Sequence, residues 1–138
     1  AFAAYVGVSM GVTFWKDIRE TMPYNAWAPD TPYMDIVPLL EKHTEPGSLI
    51  GMTGGGNVGY FIHDRTIVNM DGLINSYPYF QALQARQGGE YLYKIGMDYV
   101  LANPVILDQQ PYKGQFNEYL EPLDVYYGGK DLMRYRAP

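Results

Sequence analysis

Residues 48–76 constrain the fold more than any other stretch of this chain. Two short apolar runs, at 48–52 and 66–70, are separated by three consecutive glycines and a polar turn. A short apolar run that is bounded by turn residues is typical of a buried strand. Because residues 57–62 predict only one or two helical turns between them, we expect two adjacent strands joined by a very short connection, with Asp71-Gly72 as a turn after the second strand.

The rest of the chain alternates helix and strand signals around this stretch. Apolar residues at helical spacing precede it at 34–43, and further helices are predicted after it at 76–95, with Gly88-Gly89 as the end of one of them. A third apolar strand is predicted at 97–102, and the alternating side chains of 123–136 predict a hairpin. This order predicts an α/β fold with a small, mostly parallel sheet and flanking helices, Rossmann-like and three-layered, with a C-terminal antiparallel hairpin.

Residues 1–15 carry no charge and have two interpretations. Alternation of apolar with smaller or more polar residues is the period of a half-buried strand. Small residues at every fourth position, followed by tryptophan and a basic residue, are typical of the end of a membrane helix. These are Ala3, Gly7, Gly11, Trp15 and Lys16. The uncharged run is shorter than the roughly 20 residues that span a bilayer, so both interpretations stay open.

Length and composition indicate one domain and exclude several kinds of site. We divide the 138 residues into an N-terminal strand or membrane-helix remnant with a proline-rich connector, 1–30, and a single α/β domain, 31–138. The net charge of -5 gives no basic face for nucleic acid, so no nucleic-acid partner is expected. With no cysteine, the chain has no disulfides, thiolate zinc ligands or cysteine nucleophile.

The glycines at 54, 56 and 59 match the G-x-G-x-x-G pattern after a predicted strand. That pattern can place a pyrophosphate at a helix N-terminus. A dinucleotide fold also has an acidic residue about 20 residues further on, beyond a second strand. Asp71 comes too early and the intervening helix is too short, so we favour a structural glycine turn over a nucleotide site. The backbone amides of the turn are still able to bind a phosphate or a sugar hydroxyl.

Polar residues near the carboxyl ends of the predicted strands are the candidates for ligand binding, since open sheets bind ligands there. The candidate set is Gly55, Gly56, Asn57, Tyr60, Asn69, Asp71 and Asn75. Asp before Gly and Asn before Ser are also turn formers through their own side-chain hydrogen bonds, which alone explains these residue types. No catalytic residue, metal ligand or cofactor is predicted, because His43 and His63 lack ligand spacing and no G-x-S-x-G elbow is present.

The middle of the chain resembles a known family. The segments that carry the resemblance are PGSLI at 46–50, GNVGYF at 56–61, TIVNMDGLIN at 66–75, YL at 91–92 and IGMDYVL at 95–101. They resemble the soluble C-terminal domain that follows the membrane helices in bacterial polytopic proteins similar to glycosyltransferases of the dolichyl-phosphate-mannose or aminoarabinose type. The resemblance implies an extracytoplasmic domain, tethered by upstream transmembrane helices of the same polypeptide, in a protein that transfers sugar from a lipid-phosphate donor.

Three functions are consistent with these observations. The first is a non-catalytic accessory domain that positions a glycan acceptor or lipid-linked sugar, because no part of the chain matches the catalytic loops that such enzymes carry between their membrane helices. The second is a small module that binds a nucleotide or sugar phosphate at the turn of residues 54–59. The third is a purely structural or oligomerising domain.

Overall fold

The computed structural model describes residues 2–21, 35–71 and 77–138. They fall into two compact units, Ala1–Ile36 and Val37–Pro138. In the first unit, Phe2–Thr21 forms helix α1, so the segment with two interpretations is helical and not a strand. None of the helices in the described ranges has the length and apolar character that crossing a bilayer requires. The predicted boundary between residues 30 and 31 lies outside the described residues.

The chain from residue 36 onward alternates helices and strands. The helices are α2 (Ile36–His43), α3 (Gly56–Phe61), α4 (Tyr77–Gln84), α5 (Gly88–Lys94) and α6 (Pro104–Leu107), with a short 3-10 helix at Asn117–Tyr119. The strands are β1 (Leu49–Met52), β2 (Thr66–Asn69), β3 (Tyr99–Ala102), β4 (Leu120–Tyr127) and β5 (Lys130–Tyr135). Each predicted strand and the predicted hairpin is therefore confirmed to within a few residues.

Helix α2 accommodates a proline because Pro38 lies in its first turn, where no intrahelical donor is needed. The helix ends where the Thr44 hydroxyl donates to the Leu40 carbonyl at 2.6 Å. The Arg65 guanidinium donates to the carbonyls of Glu41 and Thr44 at 2.9 and 2.7 Å, which satisfies groups that a helix end leaves unpaired. The predicted polar turn that contains Arg65 thus fastens the helix that feeds β1.

The five strands form one mixed sheet in the order β2-β1-β3-β5-β4. Strand β1 pairs in parallel with β2 and β3, whereas β5 pairs antiparallel with both β3 and β4. The prediction of a mostly parallel, Rossmann-like sheet is therefore wrong. The predicted hairpin extends the sheet along the free edge of β3, and Met133 of β5 is buried in the same core cluster as Val100 and Ala102 of β3.

Strand β3 lies at the centre and is buried along its whole length. Val100 and Ala102 face a cluster that includes buried side chains of α4, α5 and α6. On the opposite face, Gly59 of α3 packs so closely against β2 that a Cβ added at this glycine would lie 3.3 Å from the Ile67 Cβ. Helices thus cover both faces of the sheet, and polar groups lie at the ends of the strands.

Candidate functional site

The path of the chain gives the carboxyl ends of β1 and β3 a special position in the sheet. From β1 the chain passes through α3 to β2 on one side, and from β2 it returns through α4 and α5 to β3 on the other side of β1. Neighbouring parallel strands whose connections leave in opposite directions form a topological switch point, where open sheets bind ligands. We call this place the strand-end site and define it by Thr53, the turn of residues 54–57, Asp71 and Lys130.

Two glycines of the turn are required by the local structure. Gly54 has φ +69, a conformation that favours glycine. A Cβ on Gly55 would lie 2.8 Å from both Ile67 Cγ2 and Met52 Cβ, so no side chain fits there. These constraints explain Gly54 and Gly55 without a nucleotide.

Gly56 is different from its neighbours. It is exposed, and a Cβ at this position would meet no atom within 4 Å. Neither backbone conformation nor packing therefore explains this glycine. It leaves the outer side of the turn open to solvent and accessible to a ligand.

Asp71 and Asn69 lie directly beside the turn. Asp71 Oδ2 accepts a hydrogen bond from the Gly54 amide at 2.8 Å, and Asn69 Oδ1 accepts one from the Asp71 amide at 3.0 Å. The structure thus brings these two predicted residues together with the glycine turn. Both side chains serve the turn itself, as their residue types suggest.

The other predicted residues are less well placed. Asn57 Oδ1 accepts from the neighbouring Val58 amide at 3.1 Å. Tyr60 is 83% exposed and its ring meets the edge of Phe61 at 5.0 Å between centroids, on α3. Asn75 lies outside the described residues. Of the predicted set, therefore, Gly55, Gly56, Asn57, Asn69 and Asp71 lie at or next to the turn.

Lys130 is the cation of the strand-end site, and no sequence pattern singled it out. It begins β5, and the pairing of Ala102 with Asp131 brings it to the carboxyl end of β3. Its Nζ donates to the Thr53 carbonyl at 2.8 Å. Burial lowers the pKa of Lys130, while the nearby Asp71 carboxylate acts in the opposite direction. Within the described part of the chain, Lys130 forms no ion pair.

Thr53 carries a second unmatched group at the same place. Thr53 is 6% exposed, and its buried Oγ1 has no hydrogen-bond partner among the described residues. A buried hydroxyl that lacks a partner destabilises a protein by about 1–3 kcal/mol, so such groups are uncommon. The ammonium of Lys130 and the hydroxyl of Thr53 are both donors, and together with the open turn they suit a ligand with anionic oxygens.

Groups that would carry out catalysis are not assembled here. Among residues 35–71 and 77–138, no three His, Asp or Glu side chains converge as a metal site would require. His63 contacts Glu41 at 3.3 Å on the surface, in the polar turn that fastens α2. The described groups at the strand ends provide no nucleophile paired with a base.

A family described as Domain of unknown function (DUF8728) matches residues 21–134. The chain belongs to this family. The match covers the described second unit almost to its end. Comparison with curated proteins and with solved structures gives no match. Nothing in these comparisons links the chain to glycosyltransferase-like membrane proteins, so that resemblance stays a prediction.

Proposed function

We propose that Val37–Pro138 is a non-catalytic binding domain that holds a phosphate-bearing sugar at the strand-end site. In this proposal it is an extracytoplasmic accessory domain of a membrane-bound, glycosyltransferase-like protein. The observation that carries the binding role is the position of Lys130 Nζ, 2.8 Å from the Thr53 carbonyl and beside an unmatched Thr53 hydroxyl at the switch point.

An anionic ligand is favoured because it would match both groups. A lysine ammonium has three N–H donors, and the described contacts use one of them. A phosphate oxygen at this point would accept from the ammonium and from the Thr53 hydroxyl. Burial lowers the pKa of Lys130, and a phosphate anion beside the ammonium would raise it again.

One phosphate fits the site better than a dinucleotide. Helix α3 has six residues, far fewer than the helix that follows the glycine turn in a dinucleotide fold. The Gly54 amide is already bound to the Asp71 carboxylate, whose negative charge disfavours a second phosphate nearby. A monophosphate on a sugar or on a lipid-linked sugar is therefore the ligand class that we propose.

The membrane location comes from the sequence resemblance and is supported by the uncharged first fifteen residues, which form the start of α1. The partners in this proposal are the membrane helices of the same polypeptide. Fractionation of the full gene product tests it. We expect the protein in the alkali-resistant membrane fraction, with the domain accessible to protease only from the extracytoplasmic side. Recovery in the soluble fraction would contradict this part of the proposal.

Calorimetric titration with inorganic phosphate and with a hexose 1-phosphate tests the binding role. Lys130→Met removes the ammonium and keeps the length of the side chain. Since a hydrogen bond to a charged group contributes about 1.5–3 kcal/mol, we expect affinity to fall roughly 10- to 100-fold. Lys113→Met is the matched control because Lys113 is exposed and has no described contact with a residue of the strand-end site.

Gly56→Val provides a second variant for the same titration. Its side chain would enter open space, so the fold should persist while the outer side of the turn is covered. We expect weaker binding of both ligands. If the folded wild-type domain gives no heat of binding with either ligand, the proposed binding role is wrong, and a structural or oligomerising domain is favoured.

A further inference from the structure

A second polar cleft lies away from the strand-end site. It has a volume of about 220 Å³ and is lined by the side chains of Arg86, Gln87, Glu90, Gln115, Glu118 and Tyr119. These residues come from the turn after α4, from α5 and from the segment that leads into β4. We call it the Arg86 cleft, and none of its residues belongs to the strand-end site.

We infer that the Arg86 cleft binds a neutral ligand rich in hydroxyl groups, such as a pyranose ring. The lining contains one cation, Arg86, and two anions, Glu90 and Glu118. Glu90 pairs at 2.6 Å with Lys94, which lies outside the lining, so the charges balance once this ion pair is counted. A site whose charges cancel gives little electrostatic preference for an ion. The inference therefore concerns a different ligand class from the phosphate of the strand-end site, and it does not depend on that site.

Donors and acceptors are both present in the lining. A hydroxyl group donates one hydrogen bond and accepts up to two, so it is best matched where the two kinds of group alternate. Arg86 supplies donors, Glu118 supplies acceptors and Gln87 supplies both. A ligand with several hydroxyls uses this mixture more completely than a carboxylate or an amine would.

The floor of the cleft is fixed by Gln115. Its Nε2 donates to the carbonyls of Leu83 and Pro111 at 3.1 and 2.6 Å, and its Oε1 accepts from the Gly88 amide at 2.8 Å. The side chain is buried, and its hydrogen bonds go to the backbone of three segments. Gln115 therefore shapes the cleft and is not itself a ligand-binding group.

One wall of the Arg86 cleft is formed by a glycine and a pair of stacked tyrosines. A Cβ on Gly89 would lie 2.1 Å from the Gln115 carbonyl oxygen and 2.6 Å from the Tyr119 ring, so no side chain can enter there. Tyr119 stacks on Tyr135 with 5.4 Å between centroids, and the Tyr135 hydroxyl donates to the Gly89 carbonyl at 2.8 Å. A preformed wall lowers the ordering that binding requires. The apolar ring carbons of Tyr119 suit the C–H groups of a sugar.

Arg86 occupies a backbone position where glycine is usual. Its φ is +60, and the amides of Arg86 and Gln87 bond to the carbonyls of Leu83 and Ala82 at 3.1 and 2.8 Å, as in a Schellman helix end. Its Nη2 donates to the Lys113 carbonyl at 2.9 Å, which holds the guanidinium at the cleft. A guanidinium has five N–H donors, so others are available to a ligand.

Saturation-transfer NMR with methyl glycosides of glucose, mannose, galactose and N-acetylglucosamine tests the inference. We expect transfer to at least one glycoside in the wild-type domain. Arg86→Gly should reduce its affinity at least tenfold while keeping the fold, because glycine suits the backbone at this position. Glu118→Gln keeps the shape of the side chain and should weaken binding without touching the helix end.

Two controls separate this site from the strand-end site. Glu121→Gln changes an exposed glutamate that pairs with Arg136 outside the cleft and should leave glycoside binding unchanged. Lys130→Met should weaken phosphate binding roughly 10- to 100-fold and leave glycoside binding intact. The inference fails if no glycoside receives saturation, if neither Arg86→Gly nor Glu118→Gln weakens the transfer, or if phosphate binding depends on Arg86.

Discussion

Strand β5 has a cation near each of its ends, Arg134 and Lys130, and the surroundings of the two are very different. We call the amino ends of β1 and β3, where Arg134 lies, the amino-end edge, and the carboxyl ends, where Lys130 lies, the carboxyl-end edge. At the amino ends of β1 and β3, the Arg134 guanidinium lies over the Tyr99 ring at 5.6 Å, and its Nη2 donates to the Tyr99 hydroxyl at 3.4 Å. That hydroxyl donates to the Glu45 carboxylate. At the carboxyl ends, Lys130 has only the Thr53 carbonyl as a described partner.

The difference distinguishes a structural cluster from the binding site that we propose. At the amino-end edge, a cleft of about 220 Å³ lined by Glu45, Asp98, Tyr99 and Arg134 contains both signs of charge, and the Asp98 carboxylate accepts from the Leu49 amide at 2.9 Å. Although the buried Arg134 Nε has no hydrogen-bond partner in the described part of the chain, the cation is compensated by the Tyr99 ring and by Glu45. At the carboxyl-end edge, Lys130 has no ion-pair partner among the described residues, although the nearby Asp71 carboxylate raises its pKa, and the Thr53 hydroxyl has no described partner. Mutations should therefore change stability at the first edge and ligand affinity at the second.

Tyr99→Phe should produce the largest change in stability. It removes the hydroxyl that joins Glu45 to Arg134 and leaves both without that partner. Loss of a partly buried hydrogen bond to charged groups destabilises by about 1–3 kcal/mol. Urea denaturation should show the lower free energy of unfolding, with phosphate affinity unchanged. A loss of phosphate affinity in the folded variant would contradict the assignment of the two edges.

Thr53→Val should have the opposite effect at the other edge. Valine has the same shape and lacks the unmatched hydroxyl, so the free protein should gain about 1 kcal/mol in unfolding free energy. Phosphate affinity should fall at the same time, because one of the two donors is lost. If stability decreases, Thr53 Oγ1 has a hydrogen-bond partner in solution and is not available as a donor to a ligand.

Lys130→Met should leave the unfolding free energy within about 0.5 kcal/mol of the wild type, since a half-buried ammonium is exchanged for an apolar side chain of similar length. This result would separate a binding residue from a structural one. Thermal denaturation without ligand gives the comparison, and Lys113→Met is again the control. Destabilisation of several kcal/mol would show that Lys130 is needed mainly for the fold.

The stability of the protein at acid pH should depend in part on the amino-end edge. The hydrogen bond from Tyr99, more than any other group, lowers the pKa of Glu45 from its ordinary 4.5. A carboxyl with a lowered folded-state pKa contributes stability above pH 4.5, and this is lost as the pH falls through the folded value. Tyr99→Phe should flatten that part of the acid denaturation curve. An unchanged curve would mean that the Tyr99 hydrogen bond does not hold Glu45 in its ionised form.

Local signals were enough to predict most elements of the fold. Apolar runs bounded by turns predicted β1, β2 and β3, and Gly128-Gly129 predicted the turn between β4 and β5. The pairing of β5 with β3 is a contact between segments some thirty residues apart along the chain, and no local pattern specifies it. That pairing makes the sheet mixed, and the predicted mostly parallel sheet is wrong for this reason.

The candidate site was predictable only in part for the same reason. Asp71 and the glycine turn are close in sequence and were predicted together. Lys130 reaches the site only through the pairing of β5, although a lysine directly after a predicted hairpin turn was a signal that could have been followed. Similarly, Gly88 and Gly89 begin α5 and do not end a helix, because the contacts of Gly89 with Gln115 and Tyr119 override the local preference for a stop.

One NMR titration of the wild-type domain with inorganic phosphate tests the difference between the two edges most directly. Amide shifts should appear at residues 53–57 and at Lys130, while the amides of Glu45, Asp98 and Arg134 report from the other edge in the same sample. We predict saturable shifts at the strand-end site and none at the amino-end edge. Shifts that centre on Arg134, or none at either edge, would contradict the assignment of the strand ends as the binding site.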